Sequence, residues 1–200
     1  LKKLKSLPSL LLYISQILNE GRLGLAEEKC RAFLKKNPTH TYAMSLLAEI
    51  ANRLGYFDDA EFLLEKAVEF SPDDGDLRTK YAEILRKKQK FSKTMEQVEI
   101  LCEKFPNNLN YKAQKASEIM QNGDHQEAIN LLNDILKKNP YNFSTLTSRG
   151  HAQKTLGKTD QAIESYQSAY QIKPDHGEAF FSLANLKTYS FTNQELDNMR

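Results

Sequence analysis

Asn142 to Pro174 reads NFSTLTSRGHAQKTLGKTDQAIESYQSAYQIKP, and the features of this stretch decide the fold. Segments with helical apolar spacing lie on both sides of Gly157, and Pro174 follows the second segment. Glycine can take the left-handed backbone conformation that ends a helix, whereas proline lacks the N–H group that continues one. The stretch therefore predicts a helix, a short turn, a second helix and a stop.

The same unit recurs along the chain with a period of 34 residues. The prolines that keep this spacing are Pro38, Pro72, Pro106, Pro140 and Pro174. Small side chains recur at two further positions, and we expect these to be buried between helices: Ala48, Ala82, Ala116, Ala128 and Ala162. Because one helix hairpin cannot bury its apolar face alone, neighbouring hairpins must stack. The pattern predicts helix pairs near residues 8–20 and 23–36, 41–54 and 57–70, 75–88 and 91–104, 109–122 and 125–138, and 143–156 and 159–172, then a final helix from about Gly177.

Small residues, a turn glycine and a final proline on this period resemble the tetratricopeptide repeat (TPR), from Leu7 to about Leu186. The aromatic residue that the family often has at the fourth position is mostly missing here. The resemblance implies an all-α fold, a right-handed α-solenoid of five TPR-like helix hairpins plus a C-terminal capping helix. We expect repeats over residues 1–176, as 7–40, 41–74, 75–108, 109–142 and 143–176, and then a partial sixth repeat and a junction to an absent downstream domain over residues 177–200.

The third repeat departs most from the pattern. Gln89 stands where the other complete repeats have the turn glycine, and Thr94 stands where they have alanine. We expect this repeat to be the least regular, with its hairpin splayed or its turn altered, because glutamine lacks the conformational freedom of glycine.

Composition indicates an ordinary folded protein and argues against two classes of partner. Hydrophobic residues make up 40% of the chain and charged residues 27%, which is typical of globular rather than disordered proteins. The formal net charge is +2, and no basic stripe with interleaved aromatics emerges, so we expect no nucleic-acid binding. No apolar run approaches the ~20 residues that a membrane span needs.

The cysteines and the first residues bear on the cellular context. Cys30 and Cys102 lie about two repeats apart, which is too far for a disulfide. We therefore expect both thiols to be reduced and the protein to be cytoplasmic. The chain begins Leu-Lys-Lys, without an initiator Met, and we expect it to be a piece of a longer protein.

No group of side chains indicates catalysis, a metal site or a cofactor site. The histidines fall at turns or on helix surfaces, and none has Cys, Asp or Glu at metal-ligand spacing. Paired acids such as Asp58 and Asp59 fall at helix starts, where they complement the helix dipole. We therefore expect no catalytic, cofactor-binding or metal-binding residue, and we interpret the chain as non-enzymatic.

The TPR resemblance implies that partners bind to a concave face built from the first helix of each repeat. The partner-binding residues that it implies are Leu11, Leu12, Leu18, Tyr42, Leu46, Asn52, Arg53, Lys80, Arg86, His151, Lys154, Phe181 and Asn185. The leading function is therefore protein or peptide binding by a non-catalytic module. The family's clamp for chaperone carboxylates uses Lys and Asn in one repeat, Asn in the next, and Lys with Arg in the third. Repeats one to three instead hold Leu11 and Ser15, then Leu46, then Asp76 and Lys80. We expect no chaperone carboxylate clamp.

A basic run from Arg86 to Lys90 ends a predicted helix. Cations there offset the helix dipole, which favours a solvated helix end over a dedicated binding site. Alanine at Lys87 or Lys90 is therefore expected to leave the stability nearly unchanged.

The sixth unit begins as a repeat and then departs from the pattern. Leu183 to Met199 reads LANLKTYSFTNQELDNM and resembles the segment that joins TPRs to the catalytic domain of bacterial sulfotransferases. The resemblance rests on Leu183, Ala184, Asn185, Leu186, Lys187, Tyr189, Phe191 and Met199. Thr192 and Glu195 match a capping box, which predicts a new helix. The alternative function is an N-terminal accessory or dimerisation region of a sulfotransferase whose catalytic domain is absent from this chain.

The two ends of the chain differ in polarity. Terminal repeats need a polar outer face, and the C-terminal end supplies one with Lys187, Thr188, Ser190 and Asn193. The first helix instead has more apolar residues than one face can bury: Leu4, Leu7, Leu10, Leu11, Leu12, Ile14 and Leu18. Such a patch usually marks an interaction site. We expect it to contact another protein surface, either a second copy of this chain, as a homodimer, or the upstream part of its own parent.

Overall fold

The computed structural model describes residues 9–186, 188–193 and 196. Within this part of the chain every regular element is helical, which confirms the all-α fold. Each helix lies within one or two residues of its predicted bounds where both ends were predicted. The helices are α1 (Ser9–Asn19), α2 (Leu23–Lys36), α3 (Thr41–Arg53), α4 (Phe57–Phe70), α5 (Gly75–Lys87), α6 (Phe91–Lys104), α7 (Leu109–Gln121), α8 (His125–Lys138), α9 (Phe143–Thr155), α10 (Thr159–Ile172) and α11 (Gly177–Ala184).

The chain divides into two compact units, and the boundary in the sequence lies between Lys104 and Phe105. The amino-terminal unit contains the hairpins α1–α2, α3–α4 and α5–α6, and successive hairpins pack against each other. The carboxy-terminal unit contains the hairpins α7–α8 and α9–α10, followed by α11, which packs on α10. Among the residues that the structure describes, five hairpins and a final helix are therefore present as predicted. The predicted boundary after residue 176, between the complete repeats and a junction segment, stays a prediction.

Prolines and alanines have the positions that the repeat pattern predicts. Each of the five prolines lies two residues after the end of a second helix, as Pro38 does after α2. The five alanines that were expected between helices are at most 1% exposed: Ala48, Ala82, Ala116, Ala128 and Ala162. Helices can approach closely at these positions because alanine occupies little volume. The register derived from the sequence is therefore confirmed.

The expected irregularity of the third repeat is wrong. Gln89 takes the left-handed conformation itself, with a φ of 58°, where Gly157 has a φ of 72°. Its turn also keeps the usual hydrogen bonds, since the N–H of Gln89 donates to the Arg86 carbonyl at 2.9 Å and that of Lys90 to the Leu85 carbonyl at 2.9 Å. Thr94 is fully buried, and its hydroxyl donates to the Lys90 carbonyl at 3.1 Å. Tertiary packing therefore imposes the common turn on an unfavourable residue.

Replacing Gln89 by glycine should stabilise the protein. A side chain in the left-handed region costs ~1–2 kcal/mol, and glycine avoids this cost but loses more chain entropy on folding. We expect the free energy of unfolding to rise by ~0.5–1 kcal/mol, measured by urea denaturation. Alanine at Gly157, which has a φ of 72°, should lower stability by a comparable amount. A Gln89→Gly variant no more stable than the parent would contradict the strained-turn account.

Helix α1 is more deeply packed than its sequence suggested. Leu11, Ile14, Ile17 and Leu18 are at most 2% exposed, and they pack with α2 and α3 in one apolar cluster. The exposed apolar side chains of α1 are Leu10, Leu12 and Tyr13, at 40%, 41% and 44%. The predicted surface patch therefore shrinks to these three within the described residues, and Leu4 and Leu7 lie outside them.

The segment after α11 covers the end of the carboxy-terminal unit. Tyr189 and Phe191, like Phe180, pack against the core cluster that contains Tyr170, while Thr188 and Ser190 are exposed. Aromatic side chains of this segment therefore cover the apolar end of the unit, while the hydroxyl side chains between them face solvent. Asn193 is also exposed, as predicted, whereas Lys187 and Glu195, on which the capping box depends, lie outside the described residues.

Candidate partner-binding surface

In the amino-terminal unit the first helices α1, α3 and α5 lie side by side and form what we term the first-helix surface of this unit. Three hydrogen bonds join neighbouring first helices, and each links residues 35 positions apart. They are Arg53 Nη1 to the Leu18 carbonyl at 3.0 Å, Lys80 Nζ to Ser45 Oγ at 3.1 Å, and Lys87 Nζ to Asn52 Oδ1 at 2.8 Å. The recurring separation, one repeat plus one residue, shows that polar side chains of successive repeats meet in register.

The lysine ammonium groups of this surface donate hydrogen bonds to uncharged side chains. Lys80 and Lys87 donate to the neutral oxygens of Ser45 and Asn52, so these bonds position the ammonium groups without cancelling their charge. Arg53 differs, since its Nε lies 2.7 Å from Glu49 Oε1 in an ion pair. The first-helix surface of this unit is therefore polar, with fixed cations beside hydrogen-bonding groups.

Predicted site residues of the amino-terminal unit divide into two groups. Asn52, Arg53 and Lys80 lie together on the first-helix surface, Tyr42 and Arg86 are half-buried, and Leu12 is exposed. Leu11, Leu18 and Leu46 are instead buried, with 0%, 2% and 5% of their surface exposed, so we correct their assignment to a partner-accessible face. Their side chains fill the apolar cluster between α1, α2 and α3, which is why leucine occupies these positions.

In the carboxy-terminal unit, His151 connects α9 to both α10 and α11. Its Nδ1 lies 2.9 Å from the Tyr166 hydroxyl, and its Nε2 lies 3.2 Å from Glu178 Oε1. An imidazole protonated at Nε2 satisfies both bonds, with Tyr166 as the donor to Nδ1. Burial raises the pKa of Tyr166 to about 12, so the phenol keeps the proton that it donates. His151 is therefore held in one orientation, with its ring half-buried.

A second histidine lies beside the same carboxylate. His176 Nε2 lies 3.0 Å from Thr147 Oγ1 and 3.8 Å from Glu178 Oε2, and its ring packs edge-on against Phe143 with centroids 4.9 Å apart. These contacts fix the start of α11 on α9. The contacts of His151, His176 and Glu178 therefore account for how α9, α10 and α11 pack here.

The remaining predicted residues of this unit are accessible. Lys154 and Asn185 are exposed, and Phe181 is 70% exposed although it is a large apolar side chain. Glu178 was not predicted as a site residue, although the structure brings it to His151. The signal was present, because Glu178 is the second residue of its repeat, as Tyr42 is of its own.

The basic run at the end of α5 is more than a solvated helix end. Lys88 contacts both Asp58 and Glu61, and Lys90 Nζ lies 2.6 Å from Glu61 Oε1. Glu61 is only 8% exposed, so we now expect alanine at Lys90 to lower the stability, because it removes one of the cations that pair with this buried carboxylate. Lys87 is exposed, and the near-silence of alanine there stays a prediction for stability.

Two further findings concern the described residues. No group of three or more histidine, cysteine or acidic side chains among them is arranged to hold a metal ion. None of the helices in this part of the chain is both long enough and apolar enough to cross a membrane.

Comparisons with known proteins agree with the repeat pattern. The model for "Psidin, N-terminal TPR repeats region" matches residues 77–200, and the model for "Tetratricopeptide repeat" matches residues 18–84. No curated protein matches the chain.

Solved TPR structures share the fold at low sequence identity. YrrB, described as a TPR protein with an unusual peptide-binding site, is 17% identical with a TM-score of 0.69, over 86% of this chain and 89% of that one. MamA from Desulfovibrio magneticus RS-1 is 10% identical with a TM-score of 0.72, over 86% of this chain and 99% of that one. A thermophilic TPR protein from Thermus thermophilus is 18% identical with a TM-score of 0.66, over 88% of this chain and 96% of that one. Because the model for the Psidin N-terminal TPR repeats region matches more than half of this chain, the chain belongs to the tetratricopeptide repeat family.

Proposed function

We propose that the chain is a non-catalytic interaction module that binds an extended peptide segment of a partner protein through its first-helix surfaces. The observation that carries the proposal is the in-register row on α3 and α5, where Lys80 and Lys87 are held by neutral oxygens. A peptide laid across these helices would meet a donor or acceptor at each repeat. Its carboxylate side chains would pair with the two lysines.

The family and its members support this function by analogy. YrrB is described as having a peptide-binding site, and it shares the fold of this chain. Stacked helix repeats commonly bind extended partners on the surface that their first helices form. In the carboxy-terminal unit, the proposed first-helix surface is a separate one and consists of Phe181, Lys154, Asn185 and His151. A cytoplasmic location and the absence of a chaperone carboxylate clamp belong to the same proposal.

Selection from a random peptide display library tests this function. We expect enriched peptides to carry Asp or Glu, and their affinity to fall as salt rises. The variant Lys80→Gln with Lys87→Gln should bind a selected peptide at least about tenfold more weakly, which corresponds to ~1.4 kcal/mol.

A matched control removes the same charge from the second helices of the same unit. Lys29 and Lys66 each have side chains 40% exposed, so Lys29→Gln with Lys66→Gln changes the net charge equally. This control should bind like the parent protein. Equal loss in both double variants would show general electrostatics rather than a site, and would contradict the proposal.

A second candidate interaction is self-association through α1, favoured by the exposure of Leu10, Leu12 and Tyr13. The test variant is Leu12→Glu with Tyr13→Glu. Glutamate at Leu11 or Leu18 would not serve, because these side chains are buried and their replacement would unfold the helix instead of changing its surface. We expect light scattering to show concentration-dependent dimers for the parent chain and monomers for the variant. A parent chain that is monomeric throughout would contradict the homodimer.

The sulfotransferase alternative is a proposal about the parent protein. It rests on the resemblance of the junction from Leu183 to Met199, of which Tyr189 and Phe191 pack on the carboxy-terminal unit. The coding sequence after Arg200 decides it. A strand, a Gly-rich phosphate-binding loop and a helix would favour the enzyme, and a stop codon would exclude it.

A further inference from the structure

A groove in the amino-terminal unit lies on the opposite side of α3 from the first-helix surface. Its volume is about 190 Å³, and α2, α3 and α4 form its walls. Leu47, Ile50 and Leu54 line it, and their spacing of three and four residues places them on one helical stripe. Ser45, Glu49 and Asn52 form a different stripe of α3, about half a turn away. A ligand in the groove therefore leaves the first-helix surface free.

Two exposed aromatic rings flank the groove. Tyr56 and Phe62 both line it, and each is 60% exposed although both are large side chains. Asp59 also lines the groove, three residues after Tyr56 and three before Phe62. Asp59 and Phe62 are neighbours on α4, because residues three apart on a helix lie on one face, and Tyr56 is the residue directly before that helix.

The Asp59 carboxylate gives the groove a net negative charge. Arg31 Nε and Glu27 Oε1, which also line the groove, form an ion pair at 2.8 Å and neutralise each other. Within the described part of the chain, Asp59 has neither an ion pair nor a side-chain hydrogen bond. The groove thus combines an apolar floor, two aromatic faces and one uncompensated negative charge.

We propose that this groove is a second peptide-binding site, which takes one arginine or lysine side chain from an extended apolar segment of a partner protein. The aliphatic stem of the basic residue would pack on the leucines, as long cationic side chains do on apolar surfaces. Its charged end would reach Asp59 and the faces of Tyr56 and Phe62, which attract cations. The cavity of about 190 Å³ is smaller than the ~300–1,000 Å³ of small-molecule pockets, which suits a single side chain.

Titrations followed by NMR of the ¹⁵N-labelled chain test this site. The probes are three acetylated, amidated tripeptides with leucine at both ends and arginine, norleucine or glutamate in the middle. We expect the arginine peptide to shift the amide signals of Ala51, Leu54 and Phe62. It should bind at least about fivefold more tightly than the norleucine peptide, the factor that ~1 kcal/mol of charge pairing supplies.

Variants separate charge recognition from apolar contact. Asp59→Asn should remove the preference for arginine over norleucine, while Phe62→Ala should weaken both peptides. Asp160→Asn, at an exposed position on α10 in the other unit, should change neither affinity.

Three outcomes overturn the proposal. These are signal shifts that map away from the groove, equal binding of the arginine and norleucine peptides, and an arginine preference that survives Asp59→Asn. Loss of the Lys80 and Lys87 charges should leave this titration unchanged, so the test is independent of the proposed first-helix function.

Discussion

Valine in place of Gly150 is expected to lower the free energy of unfolding by roughly 3 kcal/mol, because the site has no room for a side chain. A Cβ atom built there would lie 2.5 Å from Tyr166 Cε1, 2.7 Å from Cδ1 and 2.9 Å from Cζ. Tyr166 cannot yield easily, because it is fully buried and its hydroxyl bonds His151. Urea denaturation, followed by circular dichroism, measures the loss.

A double-mutant cycle identifies the cause of that loss. If the valine side chain clashes with the Tyr166 ring, Tyr166→Ala should relieve part of the strain. The double variant should then lose less free energy of unfolding than the two single variants lose together. Lys154→Val on the same helix is the control, because its side chain is exposed. Strict additivity of Gly150→Val and Tyr166→Ala would contradict the close-contact account.

Glutamine in place of Glu61 is expected to cost about 2 kcal/mol at neutral pH, the typical loss for hydrogen bonds to a charged group. Glu61 is buried, and it accepts from Lys90 Nζ at 2.6 Å and 2.7 Å and also contacts Lys88. The amide keeps the shape of the side chain and removes its charge. The variant therefore leaves two lysines without their buried counter-charge.

The cost of Glu61→Gln should depend on pH. Burial acts to raise the pKa of Glu61, but hydrogen bonds from Lys88 and Lys90 outweigh it and hold that pKa below its ordinary value of 4.5. The stabilisation is therefore complete above that value and is lost as the pH falls through the lower pKa of the folded state. The stability difference between parent and variant should therefore stay constant well above pH 4.5 and shrink as the pH falls below that value.

Two results would contradict this ion cluster. One is a Glu61→Gln variant as stable as the parent at neutral pH, and the other is a difference that grows as the pH falls. Glu28→Gln is the matched control, since the Glu28 side chain is 67% exposed and its pair with Lys29 lies in water. That control should change the stability by less than about 0.5 kcal/mol.

Features that recur every repeat were predictable from the sequence. The prolines and small residues set the register, and so the helix bounds and the buried alanines followed. Gln89 was misjudged because the conformation of a turn depends on the packing of the helices that it joins, which a single residue does not reveal.

Contacts between distant side chains were not predictable in the same way. Leu11 and Leu18 were assigned to a surface because the sequence shows a crowded helix but not which of its sides α2 and α3 cover. The pairing of Glu61 with Lys90 joins residues 29 positions apart, and it depends on how closely the turn of one hairpin approaches the second helix of the hairpin before it. The proposed groove was also missed, because Tyr56, Asp59 and Phe62 gain their common environment only when α2 and α3 complete the walls.

Mapping a display-selected acidic peptide by NMR tests the central claim most directly. If the peptide binds as proposed, the amide signals that shift should belong to α3 and α5 around Ser45, Asn52 and Lys80, and Lys80→Gln with Lys87→Gln should abolish those shifts. Shifts confined to the second helices α4 and α6, or shifts that persist in that double variant, would contradict peptide binding on the first-helix surface.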